Sequence, residues 1–386
     1  GSFLFLSERT GWKHLYHYAA DGKLLRAVTK GEWQVRSVLR VDAKEQTVYF
    51  TAGMTSHLGT DLCRAKFDAG TELLTEKGLV HRVSLAPSGG LFTDQASNLT
   101  TPPATDLREA GKGVVRKLET NPPRGKDDPK LGRYERVQIE TKDGFVLEAA
   151  VTYPPDFDKE KKYPVWVLTY AGPHAPTIRD DWGAGRFGQD QTLAASGIIC
   201  FRVDPRSASG KGAISSWACY KQLGVQELKD LEEAVAWLAK NPYIDQTRVG
   251  ISGHSYGGFM AAYALTHSKV FSAGIASGPV TDWKLYDTIY TERYMLTPQE
   301  NPEGYAKSSC VAAAKNLSGK LLIIHGMMDD NVHLQNSTQF MSALQAAGKD
   351  FEVMFYPQAR HGIGSAHYAR LQQDFIRRTM GVPAKK

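Results

Sequence analysis

The chain has 386 residues, 42% apolar and 23% charged, the profile of a soluble globular protein and too long for one ordinary domain. Its net charge of +6 and pI near 8.9 are mild for this length, and no basic run carries interleaved aromatics, which argues against nucleic-acid binding. No apolar stretch approaches the roughly 18 residues of a membrane span, and Cys63, Cys200, Cys219 and Cys310 lack metal-site spacing, so buried free thiols are expected rather than a metal or a disulfide framework.

Gly1-Ser2 stands where a methionine would and reads as a cloning remnant, so the native start is expected upstream. From residue 3 to about 100 the pattern is short strands and turns. Leu4-Phe5-Leu6, His14 to Tyr18, Leu24 to Val28, Val35 to Val41, Thr47 to Thr51, Asp61 to Phe67 and Leu79 to Leu85 are the strand candidates. Asp21-Gly22, Asp68-Ala69-Gly70 and Pro87-Ser88-Gly89-Gly90 supply turns. Such a rhythm predicts a sandwich, barrel or propeller. A propeller blade takes about 40–50 residues, so the region holds roughly two blades of a closed ring that needs more. On that reading the chain is the C-terminal part of a longer protein.

The proline-rich run from Asn121 to Pro129 is the better boundary candidate, which puts a partial propeller and linker at 1–125 and a second domain at 126–386. Beyond it, Val137 to Thr141 and Phe145 to Tyr153 flank Asp143-Gly144 and predict a hairpin. Val165 to Tyr170 and Gly197 to Val203 are nearly unbroken apolar runs, as in a sheet buried on both faces. Glu227 to Ala239 is helical, with Leu228, Leu231, Val235 and Leu238 on one face. Phe271 to Ala276, Lys320 to His325 and Phe351 to Tyr356 are further strands. Leu334 to Ala347 and His367 to Met380 are helices stopped by Gly348 and Gly381. Alternation of this kind predicts an α/β fold with a doubly wound, mostly parallel sheet, preceded by an incomplete β-propeller segment.

Between the run Arg248 to Ser252 and the helical run Phe259 to Leu265 lies Gly253-His254-Ser255-Tyr256-Gly257-Gly258. Strand, G-x-S-x-G and helix make the nucleophile elbow of an α/β-hydrolase. The turn strains the serine backbone, and a side chain at Gly253 or Gly257 would clash with its neighbours. Ser255 needs a base, and the base needs a carboxylate to hold its tautomer. In this fold the acid and the histidine follow later strands, in that order. The first such loop offers Asp329 or Asp330, and the next offers His361. His254 adjoins the serine and cannot point at it, and His174 and His325 follow the wrong strands for the base. The oxyanion would meet the backbone N–H of Tyr256. The loop that should supply the second donor, Tyr170 to His174, has no H-G-G-G run, so the Tyr170 hydroxyl is a candidate donor, and a strand-end aromatic packed in the core is the alternative.

These residues resemble the prolyl oligopeptidase clan of serine peptidases, and within it the dipeptidyl peptidase IV branch. The elbow at 253–258, the acid loop His325 to His333 and the stretch Tyr286 to Met295 carry the resemblance, and Ser7 to Tyr16 is similar to a late propeller blade of that branch. The resemblance implies the triad Ser255, Asp329 and His361, which selects Asp329 over Asp330. It implies Tyr170 as oxyanion donor, Tyr256, Val280, Trp283, Tyr286, Tyr290 and Val332 as the lining of a flat aromatic pocket suited to proline, and Asn331 as a contact to a substrate carbonyl.

By the same resemblance the substrate is a peptide, from which an N-terminal dipeptide ending in proline or alanine is released through an acyl-enzyme. No cofactor is called for. A homodimer and a periplasmic, secreted or membrane-anchored setting are implied. A related oligopeptidase, acylaminoacyl peptidase or esterase would use the same triad; a non-catalytic binding module would have no need of it. The branch's paired glutamates, which grip the substrate amine, belong to an upstream propeller segment, and Glu232-Glu233 is not that pair. Asp204-Pro205-Arg206-Ser207 stands where the clan has a glycine-rich turn.

Overall fold

The computed structural model describes residues 1–121, 130–186 and 188–383. The proline-rich boundary at 122–129, and with it the junction expected at 125/126, lies outside the described residues. Two compact units are present: Gly1–Pro129 with Arg179–Ala184 and Gly210–Ser215, and Lys130–Ile178 with Gly185–Ser209 and Ser216–Lys386.

The first unit is built from antiparallel meanders. Strands β1 (Ser2–Ser7), β2 (His14–Ala19) and β3 (Leu24–Ala27) form a three-stranded sheet. Strands β4 (Val35–Asp42), β5 (Thr47–Ala52), β6 (Asp61–Lys66) and β7 (Gly70–Leu73) form a four-stranded one, as do β8 (Val80–Leu85), β9 (Leu91–Ser97), β10 (Ala104–Glu109) and β11 (Gly113–Thr120). Two four-stranded sheets and a shorter third therefore stand where blade length suggests about two. Strands β10 and β11 fall in the stretch read from sequence as linker. β11 is exposed along most of its length, so it lacks the apolar alternation that marks a half-buried strand. Val48, Phe50 and Ala52 of β5 and Cys63 and Ala65 of β6 form a core with Leu15, Val28, Val35 and Phe67.

The second unit holds an eight-stranded sheet. Its strands in chain order are β12 (Tyr134–Glu140), β13 (Val146–Thr152), β14 (Tyr163–Leu168), β15 (Ile199–Asp204), β16 (Ile244–His254), β17 (Ala273–Ser277), β18 (Lys320–Gly326) and β19 (Glu352–Tyr356). Their spatial order is β12-β13-β15-β14-β16-β17-β18-β19. From β15 onward every pair is parallel, while β12 and β13 form an antiparallel edge. The helices in chain order are α1 (Gln189–Ala195), α2 (Ala213–Ser216), α3 (Val225–Leu238), α4 (Tyr256–His267), α5 (Thr288–Met295), α6 (Pro302–Lys307), α7 (Gln335–Ala346) and α8 (Ala366–Met380); all belong to the second unit except α2, of which residues 213–215 belong to the first.

Both faces of the sheet are buried, as the continuous apolar strands require. Val165 and Val167 join one core while Trp166 and Leu168 join the other; Leu321 and Ile323 likewise alternate with Leu322 and Ile324. Helices α3 and α4 cover the first face: Leu228, Leu231, Val235 and Leu238 are all buried in its core. Helices α1 and α8 cover the second through Leu193, Phe375, Ile376 and Met380. All four cysteines are buried thiols. Among the described residues no helix is long and apolar enough to cross a membrane.

Candidate active site

The carboxyl ends of the parallel strands gather the candidate residues. At the end of β16, Ser255 takes φ 60° and ψ −120°, a positive φ that a side chain disfavours. The turn is held by its neighbours. The Ser255 N–H donates to the Ser277 carbonyl at 2.8 Å, and the Ser255 carbonyl accepts from the Phe259 N–H at 2.9 Å. A Cβ on either Gly253 or Gly257 would lie 2.4 Å from the Thr169 carbonyl oxygen, so both positions need glycine. Tyr256 opens α4, and the N–H groups of a first helical turn have no intrahelical partner.

The loop after β18 separates the two aspartates. Asp329 is buried, and its Oδ2 accepts from His361 Nδ1 at 2.8 Å. Its Oδ1 accepts from the N–H groups of Asn331 and Val332 at 3.0 and 2.9 Å. Burial pushes the Asp329 carboxyl up, but the hydrogen bonds from His361 and the loop outweigh it and hold it below its ordinary range. Asp330 is exposed and pairs with Arg360 at 2.7 Å. A proton on Nδ1 facing a carboxylate leaves Nε2 of His361 as the basic nitrogen. The His361 ring packs 4.6 Å from the ring of His254, the residue before Ser255. Among the described residues no direct hydrogen bond joins Ser255 to His361; such bonds are commonly long until substrate binds.

Tyr170 follows β14 and remains 37% exposed. Burial raises its hydroxyl above the ordinary phenol value, and a hydrogen bond with Ser255 opposes that rise. Its ring lies 6.2 Å from that of Tyr256. Around Tyr256 the aromatic residues form one cluster centred on buried Trp283. The ring of Trp283 is 5.4 Å from Tyr256, 5.9 Å from Tyr286 and 6.0 Å, stacked, from Tyr290. Val280 and Val332 are buried in the same core, and the Tyr286 hydroxyl donates to Asn331 Oδ1 at 2.8 Å. Tyr290 belongs to α5, which Asp287 caps by accepting from the Tyr290 N–H at 2.8 Å. Contacts thus link His361 with Asp329 and with His254 beside Ser255, and join Tyr170, Tyr256, Trp283, Tyr286, Tyr290 and Asn331 in one cluster.

Three further residues, none of them assigned a role from the sequence, pack against the site. Glu227 is fully buried; it accepts from the Tyr256 hydroxyl at 2.8 Å and from the Gly224 N–H at 3.0 Å. Burial raises its carboxyl to about 7, against the pull of those hydrogen bonds. Its place three residues after Gly224, a capping-box position, was the available signal. His325, set aside as a base, is buried beneath the acid: Nε2 lies 3.2 Å from Asp329 Oδ2 and 2.8 Å from the Val332 carbonyl, and Nδ1 is 2.7 Å from Ser337 Oγ. Ser277 ends β17, and no sequence pattern marks it. Among the described residues no cluster of histidine, cysteine and carboxylate side chains is arranged to hold a metal ion.

Comparison with known proteins gives a consistent result. Residues 186–382 match the prolyl oligopeptidase family, and residues 1–103 match the dipeptidyl peptidase IV N-terminal region. The dipeptidyl peptidase 4 of Trichophyton equinum is 33% identical over 382 residues, covering 94% of this chain and 48% of the relative. That of Trichophyton rubrum is 32% identical with the same coverage. The crystal structure of Porphyromonas gingivalis dipeptidyl peptidase 4 superposes with a TM-score of 0.90 at 31% identity, over 99% of this chain and 55% of that one. A putative dipeptidyl aminopeptidase IV from Bacteroides ovatus gives a TM-score of 0.89 at 31% identity, over 99% and 57%. The chain spans about half the length of the curated relatives it matches.

Proposed function

Because the chain belongs to the prolyl oligopeptidase family, we propose that it is a serine exopeptidase that releases N-terminal dipeptides ending in proline or alanine. The observation that carries this reading is the 2.8 Å bond from His361 to Asp329, beside a serine strained on a nucleophile elbow. In the first step Ser255 Oγ attacks the scissile carbonyl while Nε2 of His361 takes its proton. Asp329 fixes the imidazole and stabilises the imidazolium. The Tyr170 hydroxyl and the Tyr256 N–H receive the oxyanion. His361 returns the proton to the leaving amine, and water resolves the acyl-enzyme by the same steps.

The aromatic cluster supports the preference for proline. A compact ring buried against Trp283, Tyr286 and Tyr290 gains apolar contact without ordering a long side chain. Asn331, oriented by Tyr286, is set to contact a substrate carbonyl. The junction between propeller and hydrolase portions is assigned to 125/126, which limited proteolysis followed by mass spectrometry would read. The family resemblance supports a homodimer, measurable by light scattering.

The reading is tested by comparing a dipeptidyl-proline reporter with a free amine against the same reporter acetylated at its N-terminus. Cleavage of the first and not the second is expected. Equal cleavage of both would place the chain with the oligopeptidases of the same family.

A further inference from the structure

The His254 imidazole has no part in the chemistry above. Its ring packs against His361 with centroids 4.6 Å apart and planes tilted by 45°. Its Nδ1 lies 3.0 Å from Ser277 Oγ, and the Tyr368 hydroxyl donates to that same Oγ at 2.9 Å. With Ser277 Oγ accepting from Tyr368, its own O–H is free to donate to Nδ1. The remaining N–H of His254 is then on Nε2. Ser277 is the hub of the arrangement, because its carbonyl accepts the Ser255 N–H at 2.8 Å. One residue at the end of β17 therefore holds the nucleophile's backbone by its carbonyl and His254 by its hydroxyl.

We propose that His254 is a positioning residue for His361, oriented by the chain from Tyr368 through Ser277, and that it keeps the His361 imidazole in register with Ser255. The proposal rests on the serine-peptidase reading given above. A loop histidine with one anchor, to Asp329, can still rotate about that bond. The His254 ring packed on its flank restricts that rotation and favours the orientation a proton transfer needs.

Charge points the same way. Burial first, and then the neighbouring His361, push His254 down to about 4; His325 also lowers it and Asp329 raises it. A neutral neighbour does not oppose the imidazolium that forms on His361 when it takes the serine proton, whereas a second cation at this distance would.

The test is the rate at which a fluorophosphonate ester labels Ser255. In that step Ser255 Oγ forms a bond to phosphorus, fluoride leaves, and His361 takes the serine proton. Labelling of the unaltered chain supports the underlying reading, and its absence would overturn that reading and this proposal together. Given labelling, H254F is expected to slow it about tenfold, the order of one lost orienting bond. Y368F is expected to slow it about threefold, and to add nothing in the H254F background because the two act through one chain. An H254F rate equal to that of the unaltered chain overturns the proposal, as does an additive effect of Y368F in the double variant. Thermal unfolding is followed alongside: a lowered melting temperature with unchanged labelling marks a structural role and also overturns it. Should H254F not fold, Y368F removes only one hydroxyl from α8 and decides the matter by whether labelling slows.

Discussion

His361 Nδ1 lies 2.8 Å from Asp329 Oδ2, while the other carboxylate oxygen of Asp329 is occupied by the N–H groups of Asn331 and Val332. The carboxylate therefore has no freedom to rotate away from the histidine. Replacing it by an amide leaves the shape and removes the acceptor that sets the tautomer. Asp329→Asn is expected to lower kcat by about 10³–10⁴-fold with little change in melting temperature. Asp330→Asn, at an exposed ion pair with Arg360, is expected to change kcat by less than about twofold. Steady-state kinetics on a dipeptidyl-proline reporter reads both.

Tyr170 presents its hydroxyl to Ser255 at the end of β14. A donor aimed at developing negative charge acts on the transition state more than on bound substrate. Tyr170→Phe is expected to lower kcat by about 10²–10³-fold while KM changes by less than about threefold. A change confined to KM would remove the hydroxyl from the oxyanion site.

Glu227 is expected to couple stability to pH. Its folded-state carboxyl is raised to about 7 from an ordinary value of 4.5. Between those values the native state holds a proton that the unfolded chain releases, so stability from this group is highest below about 4.5 and falls as pH rises toward about 7. Glu227→Gln removes that slope. Melting temperatures measured from pH 5 to 8 should fall less steeply with pH in the variant than in the unaltered chain. Tyr256 loses a charge-assisted partner above pH 7 in the variant, so KM for proline substrates is expected to rise there.

Gly257 approaches the Thr169 carbonyl so closely that a Cβ would sit 2.4 Å from it. Gly257→Ala must push β14 and α4 apart at the elbow. A loss of about 1–3 kcal/mol of stability is expected, with a larger proportional loss of kcat because Tyr170 and the Tyr256 N–H ride on the two displaced segments. Chemical denaturation and kinetics on the same preparation separate the two effects.

Much of this site was legible before any coordinates, for physical reasons that differ by residue. Ser255 declares itself through glycines that the tight turn cannot do without. The strands carrying Asp329 and His361 are apolar on both faces, which marks their ends and hence the loops that matter. Choosing Asp329 over Asp330 needed the family pattern, because nothing local separates adjacent aspartates; in the fold one is buried and the other exposed. Glu227 was read only as the start of a helix, because its partner Tyr256 is 29 residues away and the pairing is tertiary. His254 was set aside because an adjacent residue cannot reach Ser255, an argument that says nothing about its reach to His361. Strands β10 and β11 went unseen because β10 is half-buried along both faces and β11 is exposed and charged, so neither alternates between apolar and polar residues.

The most direct test of the account is turnover of a dipeptidyl-proline reporter by the chain and by its Ser255→Ala variant, with circular dichroism to establish that both are folded. The account predicts turnover by the unaltered chain and a fall of about 10⁶-fold in the variant, the scale of losing a nucleophile from an intact triad. Turnover by Ser255→Ala at the rate of the unaltered chain would contradict it.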